Sequence, residues 1–190
     1  MSVELTANFF KRSPIDCARD LVGCQFYWGG CGGIIVETEA YLEQGDPACH
    51  TFNRPSARSF IENHEAGAAY VYLNYGVHWL FNILTKNNEG AGFVLFRALE
   101  PTTGLDLMSR RRGSGAIADL CSGPGKLTQA LEIDGRIHGV DLFDFPEPVL
   151  AMGNGIVEVR SSGRIGISRA QENPWRFGSA GSLFLSKPLI

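Results

Sequence analysis

The chain has 190 residues, 44% of them hydrophobic and 19% charged, enough apolar material to bury a core within one domain spanning 1–190. Seventeen basic against twenty acidic residues give a formal charge of −3, which excludes a protein that coats nucleic acid by charge alone. Met1 to Arg12 lacks an apolar run long enough for a signal peptide, and nowhere do about eighteen uncharged apolar residues follow one another, so the chain is expected inside a cell, away from membranes.

Ser13-Pro14-Ile15-Asp16 reads as an N-cap, a first-turn proline and an acidic residue, and Ile15, Ala18 and Val22 recur at helical spacing before Gly23, predicting a helix of about nine residues. Cys24 to Trp28, a turn at Gly29-Gly30, a bend at Gly32-Gly33 and then Ile34 to Tyr41 predict two strands. Leu42 to Ala69 is mostly small or polar and reads as a long loop with room for one helical turn; loops of that length usually carry function. Tyr70 to Tyr75 and Val77 to Thr85 predict a hairpin turning at Asn74-Tyr75-Gly76. Gly92 to Leu99 follows as a strand, Gly104 to Arg112 as a helix, and a second helix opens at Ser122-Gly123-Pro124, with Leu127, Ala130 and Leu131 as its apolar stripe. Shorter strands are predicted at Gly139–Phe143, Ile156–Ser161, Arg164–Ser168 and Leu183–Ser186. Strands outnumber helices and the connections are short, which predicts an α+β fold with a largely antiparallel, curved sheet, helices packed around it and a protruding β-hairpin.

The five cysteines are odd in number and never spaced C-x-x-C, so no disulfide framework is expected; Cys49-His50 lacks a second spaced pair, and no metal is expected. Basic patches that DNA binding would need could form at Arg54 and Arg58, at Arg110–Arg112, and across Arg160, Arg164 and Arg169, although each alone reads more simply as an ordinary solvated surface.

Two segments could carry chemistry. In a regular strand Ile35, Glu37, Glu39 and Tyr41 share one face and Val36, Thr38 and Ala40 the other, setting two carboxylates roughly 7 Å apart beside an aromatic ring. That separation suits water-activated cleavage of a glycosidic bond, and it also suits a half-solvated polar strand face. In the hairpin Tyr70 and Tyr72 share a face and Tyr75 stands at the turn, where an aromatic ring either packs on the fold or stacks on nucleobases.

Ile35-Val36-Glu37-Thr38-Glu39-Ala40-Tyr41, His50, Tyr70-Val71-Tyr72-Leu73-Asn74-Tyr75-Gly76, Arg97-Ala98-Leu99-Glu100-Pro101 and Leu120-Cys121-Ser122-Gly123-Pro124-Gly125-Lys126-Leu127 together resemble, in order and spacing, the alkyladenine (3-methyladenine) DNA glycosylases. The resemblance runs from about Phe9 to the last strand. It implies a base-excision enzyme that flips alkylated or deaminated purines out of double-stranded DNA, working as a monomer without a cofactor. Glu39 would be the general base that activates water against C1′ of the sugar, Glu37 a supporting group, and Arg97 a holder of that water. Tyr41, His50 and Tyr72 would enclose the extruded base, and Asn82 would crowd the amino group of normal guanine. Tyr75 would fill the gap in the duplex, while Gly125 and Lys126 would meet a DNA phosphate where a helix opens. Of the four lysines, Lys11, Lys86, Lys126 and Lys187, none is recognisably placed beside Glu39, which implies hydrolysis without lyase activity. The sequence departs from the family pattern at Arg54–Glu65, at Arg176–Gly181 and at Asn74, differences that imply weaker or more salt-sensitive DNA binding.

Overall fold

The computed structural model describes residues 3–145 and 149–189. Helix α1, Pro14–Leu21, starts where Ser13 accepts a hydrogen bond from the Ile15 amide at 3.2 Å, and it buries Pro14, Cys17, Ala18 and Leu21. Strands β1 (Gln25–Trp28) and β2 (Cys31–Leu42) follow, joined at Gly29-Gly30, whose φ values of 59° and 76° lie where side chains are strained. The bend expected at Gly32-Gly33 is a register shift inside β2 rather than a break before it.

Three strands then meander: β3 (Ala69–Asn74), β4 (His78–Asn87) and β5 (Gly90–Thr103). Helices α3 (Leu105–Arg112), α4 (Ile117–Leu120) and α5 (Pro124–Leu131) come next. Strands β6 (Leu150–Ala151), β7 (Val159–Ser162) and β8 (Arg176–Ser179) complete the sheet. Its order is β3-β4-β5-β2-β1-β6, and every pairing is antiparallel; the first part of β2 pairs with β1, while its Glu37–Glu39 stretch pairs with β8, which in turn pairs with β7. The fold is α+β. Phe26, Phe81 and Phe96 meet with ring centres 5.1–5.3 Å apart in the main core, which also takes in Leu21 of α1 and Leu127, Ala130 and Leu131 of α5.

The long loop expected over Leu42–Ala69 holds a nine-residue helix, α2 (Pro55–Asn63), in place of a single turn. Pro55 occupies its first turn, and Ala57, Phe60 and Ile61 form a buried stripe, while the Lys86 ammonium donates to the carbonyls of Ile61 and His64 just past its end. Only three of nine residues face inward, so the apolar period is faint against the polar background.

Three predicted strands are absent, and in two of them a backbone amide goes to a buried carboxylate. Gly139–Phe143 makes one bridge, Asp141 to Ala68, and then turns as Asp141 accepts from the Phe143 amide. Arg164–Ser168 turns at Gly166 and sends the Ile165 amide to Glu39, and Leu183–Ser186 sends the Ser186 amide to Glu37. The strand expected at Ile156–Ser161 is the shorter Val159–Ser162, and β6 and β8 were not anticipated. Among the described residues no helix is long and apolar enough to cross a membrane, and no cluster of three His, Cys, Asp or Glu could hold a metal ion. All five cysteines are buried free thiols.

Candidate active site

Two irregularities in the β2–β5 ladder build the site. Ile35 pairs with Leu99 and Glu37 with Ala98, so Val36 is an extra residue on β2; Thr38 then pairs with Phe96, so Arg97 is an extra residue on β5. The first bulge breaks the alternation expected of a regular strand: Ile35 joins Ala40 and Phe96 in the main core and does not share the face of Glu37. Glu37, Glu39 and Tyr41 remain together, and the second bulge leaves Arg97 free to reach both carboxylates, with Nε 2.8 Å from Glu37 and Nη1 3.2 Å from Glu39.

The two glutamates, both fully buried, have different surroundings. Glu37 accepts from Arg97 Nε (2.8 Å), Arg176 Nε (2.8 Å), the Ser186 amide (2.6 Å) and the Ser186 hydroxyl (2.8 Å). Burial pushes its pKa up, but Arg97, the Ser186 amide and Arg176 together outweigh it and hold the carboxyl below its ordinary value. Glu39 accepts from the Ile165 amide at 2.7 Å on Oε1, beside Arg97, and from the Tyr41 hydroxyl at 2.7 Å on Oε2. A carboxylate offers about four lone-pair sites, so Oε2 retains one for a further donor. Burial, reinforced by Glu39, keeps the Tyr41 phenol protonated well above the usual tyrosine range.

A cleft of about 970 Å³ opens above this pair. Tyr41, His50, Tyr72, Asn82 and Arg97 line its wall, as does Ile165; Glu39 itself lies one layer below, touching the cleft through Tyr41, Arg97 and Ile165. His50 opens a short 3-10 turn, pairs through Nδ1 with the Tyr70 hydroxyl at 3.1 Å and packs edge-on to Tyr72 at 4.3 Å between ring centres. Burial, with a contribution from Arg54, lowers its pKa to about 4, so the imidazole is neutral at physiological pH. Asn82 is 3% exposed and spends Nδ2 on the Tyr70 carbonyl at 3.1 Å. Its neighbours therefore fix the amide's orientation in the wall.

The hairpin tip, Asn74 and Tyr75, lines the same cleft. Tyr75 is 90% exposed and has φ of 50°, followed by Gly76 at 70°, in a turn closed by the Val77 amide on the Asn74 carbonyl at 3.1 Å. The left-handed conformation thus falls on the tyrosine and not on Asn74. Gly125 and Lys126 also line the cleft, at the start of α5, where Lys126 is already ion-paired with Asp119.

Of the candidate basic patches, only part faces the cleft. Arg54 and Arg169 line it, as does Arg112, which pairs with Asp119 and Gln129; Arg111 is spent on Glu132 and nearby carbonyls, Arg58 on the Thr51 carbonyl, Arg160 on exposed Glu158, and Arg164 is buried against Asp46. Ile165, Arg164, Asp46 and Ser186 were not anticipated at the site. Their partners lie more than a hundred positions away, beyond the reach of any local pattern.

Comparison with known proteins gives the same direction. A protein of Agrobacterium fabrum is 46% identical over 98% of this chain and 94% of its own length; one of Rhodopseudomonas palustris strain CGA009 is 45% identical over 97% and 88%, and one of Nitrosospira multiformis 44% over 99% and 96%. All three are named, provisionally, as 3-methyladenine DNA glycosylases. The family described as methylpurine-DNA glycosylase (MPG) matches residues 8–183, and with these relatives it establishes that the chain belongs to that family and is a DNA glycosylase of DNA repair.

Proposed function

We propose that the protein excises 3-methyladenine and related alkylated or deaminated purines, hypoxanthine and ethenoadenine among them, from duplex DNA, acting as a monomer on a nucleotide turned out of the helix. The observation that carries this reading is the buried Glu39 carboxylate, held by two hydrogen-bond donors and an ion pair with Arg97, with an acceptor position on Oε2 left for a water beneath an aromatic cleft. Glu39 removes a proton from that water as its oxygen attacks C1′; the N-glycosidic bond breaks, the base departs with the bonding electrons and an abasic site remains. Arg97 lines the cleft and holds Glu39, so it can also orient the water.

Tyr41, Tyr72 and neutral His50 supply ring faces and edges for the extruded purine, and Asn82 crowds a guanine amino group. Tyr75 takes the vacated place in the duplex. Its left-handed backbone costs about 1–2 kcal/mol and its ring gains almost no burial, which accords with a residue retained for contact with DNA. Lys126 and the backbone at Gly125, which line the cleft, meet a DNA phosphate. The chemistry is hydrolytic without a lyase step: among the described residues no lysine amine pairs with Glu39, whose partners are Tyr41, Arg97 and the Ile165 amide.

A pair of carboxylates acting as acid and base on free nucleosides is disfavoured, because Glu37 is tied down by four hydrogen bonds, two of them from guanidiniums, and its pKa is lowered. The test is single-turnover excision from duplexes carrying 3-methyladenine or hypoxanthine. Glu39→Gln should lower the rate by about 10²–10⁴-fold, the usual contribution of a general base. Tyr75→Ser should weaken reaction on duplex more than on single strands. Glu39→Gln excising at the wild-type rate would overturn the assignment.

A further inference from the structure

The most completely determined ion pair beside the site involves neither glutamate. Arg164 and Asp46 are 118 positions apart, have no solvent-exposed side-chain surface and form two parallel bonds, Nη1–Oδ2 at 2.6 Å and Nη2–Oδ1 at 2.8 Å. Arg164 Nη1 also donates to the Ala40 carbonyl at 3.0 Å, next to Tyr41. The guanidinium lies over two rings, 4.7 Å from the centre of Tyr41 and 5.0 Å from that of Trp175. Asp46 in turn accepts from the Leu42 amide at 3.2 Å and the Ala48 amide at 3.1 Å, and its carbonyl accepts from the Cys49 amide at 3.0 Å, which shapes the turn leading to His50.

Each of these contacts bears on a group in the cleft. Arg164 immediately precedes Ile165, whose amide reaches Glu39. The pair therefore backs the Tyr41 ring, sets the turn before His50 and fixes one donor on Glu39. Burying two charges is costly, and apolar residues of similar volume would often serve stability as well or better. The cost is increased here, since Arg164 Nε is buried without a partner among the described residues. Geometry is what an ion pair supplies and an apolar pair does not.

We propose that Asp46 and Arg164 are positioning residues for base excision: they hold Ile165 and Tyr41 on Glu39 in the reactive arrangement while touching neither DNA nor water themselves. The proposal rests on the reading of Glu39 as the base. Arg164→Lys keeps the charge but loses the paired bonds and the stacked plane. Single-turnover excision of 3-methyladenine at saturating enzyme should fall 10- to 100-fold, while Kd for a duplex carrying an uncharged tetrahydrofuran abasic-site analogue stays within threefold. Asp46→Asn should behave alike, and the double variant should be no slower than the slower single one, because the two act as a unit. A second double variant, Asp46→Leu with Arg164→Met, replaces the pair by apolar groups; it should keep the wild-type melting temperature to within a few degrees and still be slow.

An unchanged rate in Arg164→Lys, independent multiplication of the two single effects, or equal loss of rate and affinity would overturn the proposal. Recovery of full rate in the apolar double variant would do so too, since it would make the pair a packing element only. Glu39→Gln separates the two readings. A slow Glu39→Gln beside a fast Arg164→Lys removes the positioning role alone, whereas a fast Glu39→Gln removes the base and the positioning role together.

Discussion

Glu37 and Glu39 sit two positions apart on one strand, and what differentiates them is which donors the rest of the chain delivers. Glu37 neutralises two guanidiniums, so removing its charge leaves Arg97 and Arg176 buried with too little compensation. Glu37→Gln should therefore lose about 3–5 kcal/mol of stability, roughly a 10 °C fall in Tm, measurable by thermal melting. The acid side of the stability curve carries the sign. A carboxyl whose folded pKa lies below the ordinary 4.5 adds stability that is complete above that pH and is lost as pH falls through the folded value. Wild type should consequently lose stability below about pH 4.5 more steeply than Glu37→Gln, as read from denaturant midpoints between pH 3 and 6. Nothing in the sequence distinguishes these two residues by local pattern. Strand alternation treats them as equivalent, and the bulges at Val36 and Arg97 that aim the site are invisible to a period of two.

At the scale of elements, the hairpin was the most legible part of the chain, because alternation on both strands and a turn containing glycine agree on one register. Its turn also gives a trade-off. Asn tolerates the left-handed region that Tyr75 is forced into, so Tyr75→Asn should raise stability by about 1 kcal/mol in denaturant unfolding while slowing excision from duplex DNA. A variant that is both less stable and equally active would contradict both halves of that expectation. Helix α2 was concealed by its narrow apolar stripe, and the segment 164–168 looked like a strand because Ile165 and Ile167 alternate with small polar neighbours. What decides the latter is tertiary: the Ile165 amide finds a carboxylate on β2 instead of a neighbouring strand. Two of the departures from expected secondary structure, at 164–168 and 183–186, thus lie where the backbone serves the site.

For the molecule as a whole, the net charge of −3 and the placement of the arginines set how DNA can be held. Around the cleft Arg54, Arg112, Lys126 and Arg169 are the cations near its surface, and two of them already pair with Asp119. Each phosphate neutralised contributes about −0.9 to the slope of log affinity against log salt, so the slope should be no steeper than about −4 in a titration from 50 to 200 mM salt. A much steeper slope would mean that residues outside the cleft grip the backbone. Charge counts taken from the sequence overstate the available patch, because Arg164 and Arg111 are consumed internally.

The donors that complete the two carboxylates of β2 come from positions 165, 176 and 186, all in the last quarter of the chain. During synthesis, then, the strand that carries both glutamates is made long before the groups that satisfy them, and neither carboxylate can be buried at low cost until that late segment has left the ribosome. Assembly of the site is in effect a completeness check. A chain cut short before residue 164 would have to keep β2 open to water, so the active site can be sealed only after residues 165–186 have been made.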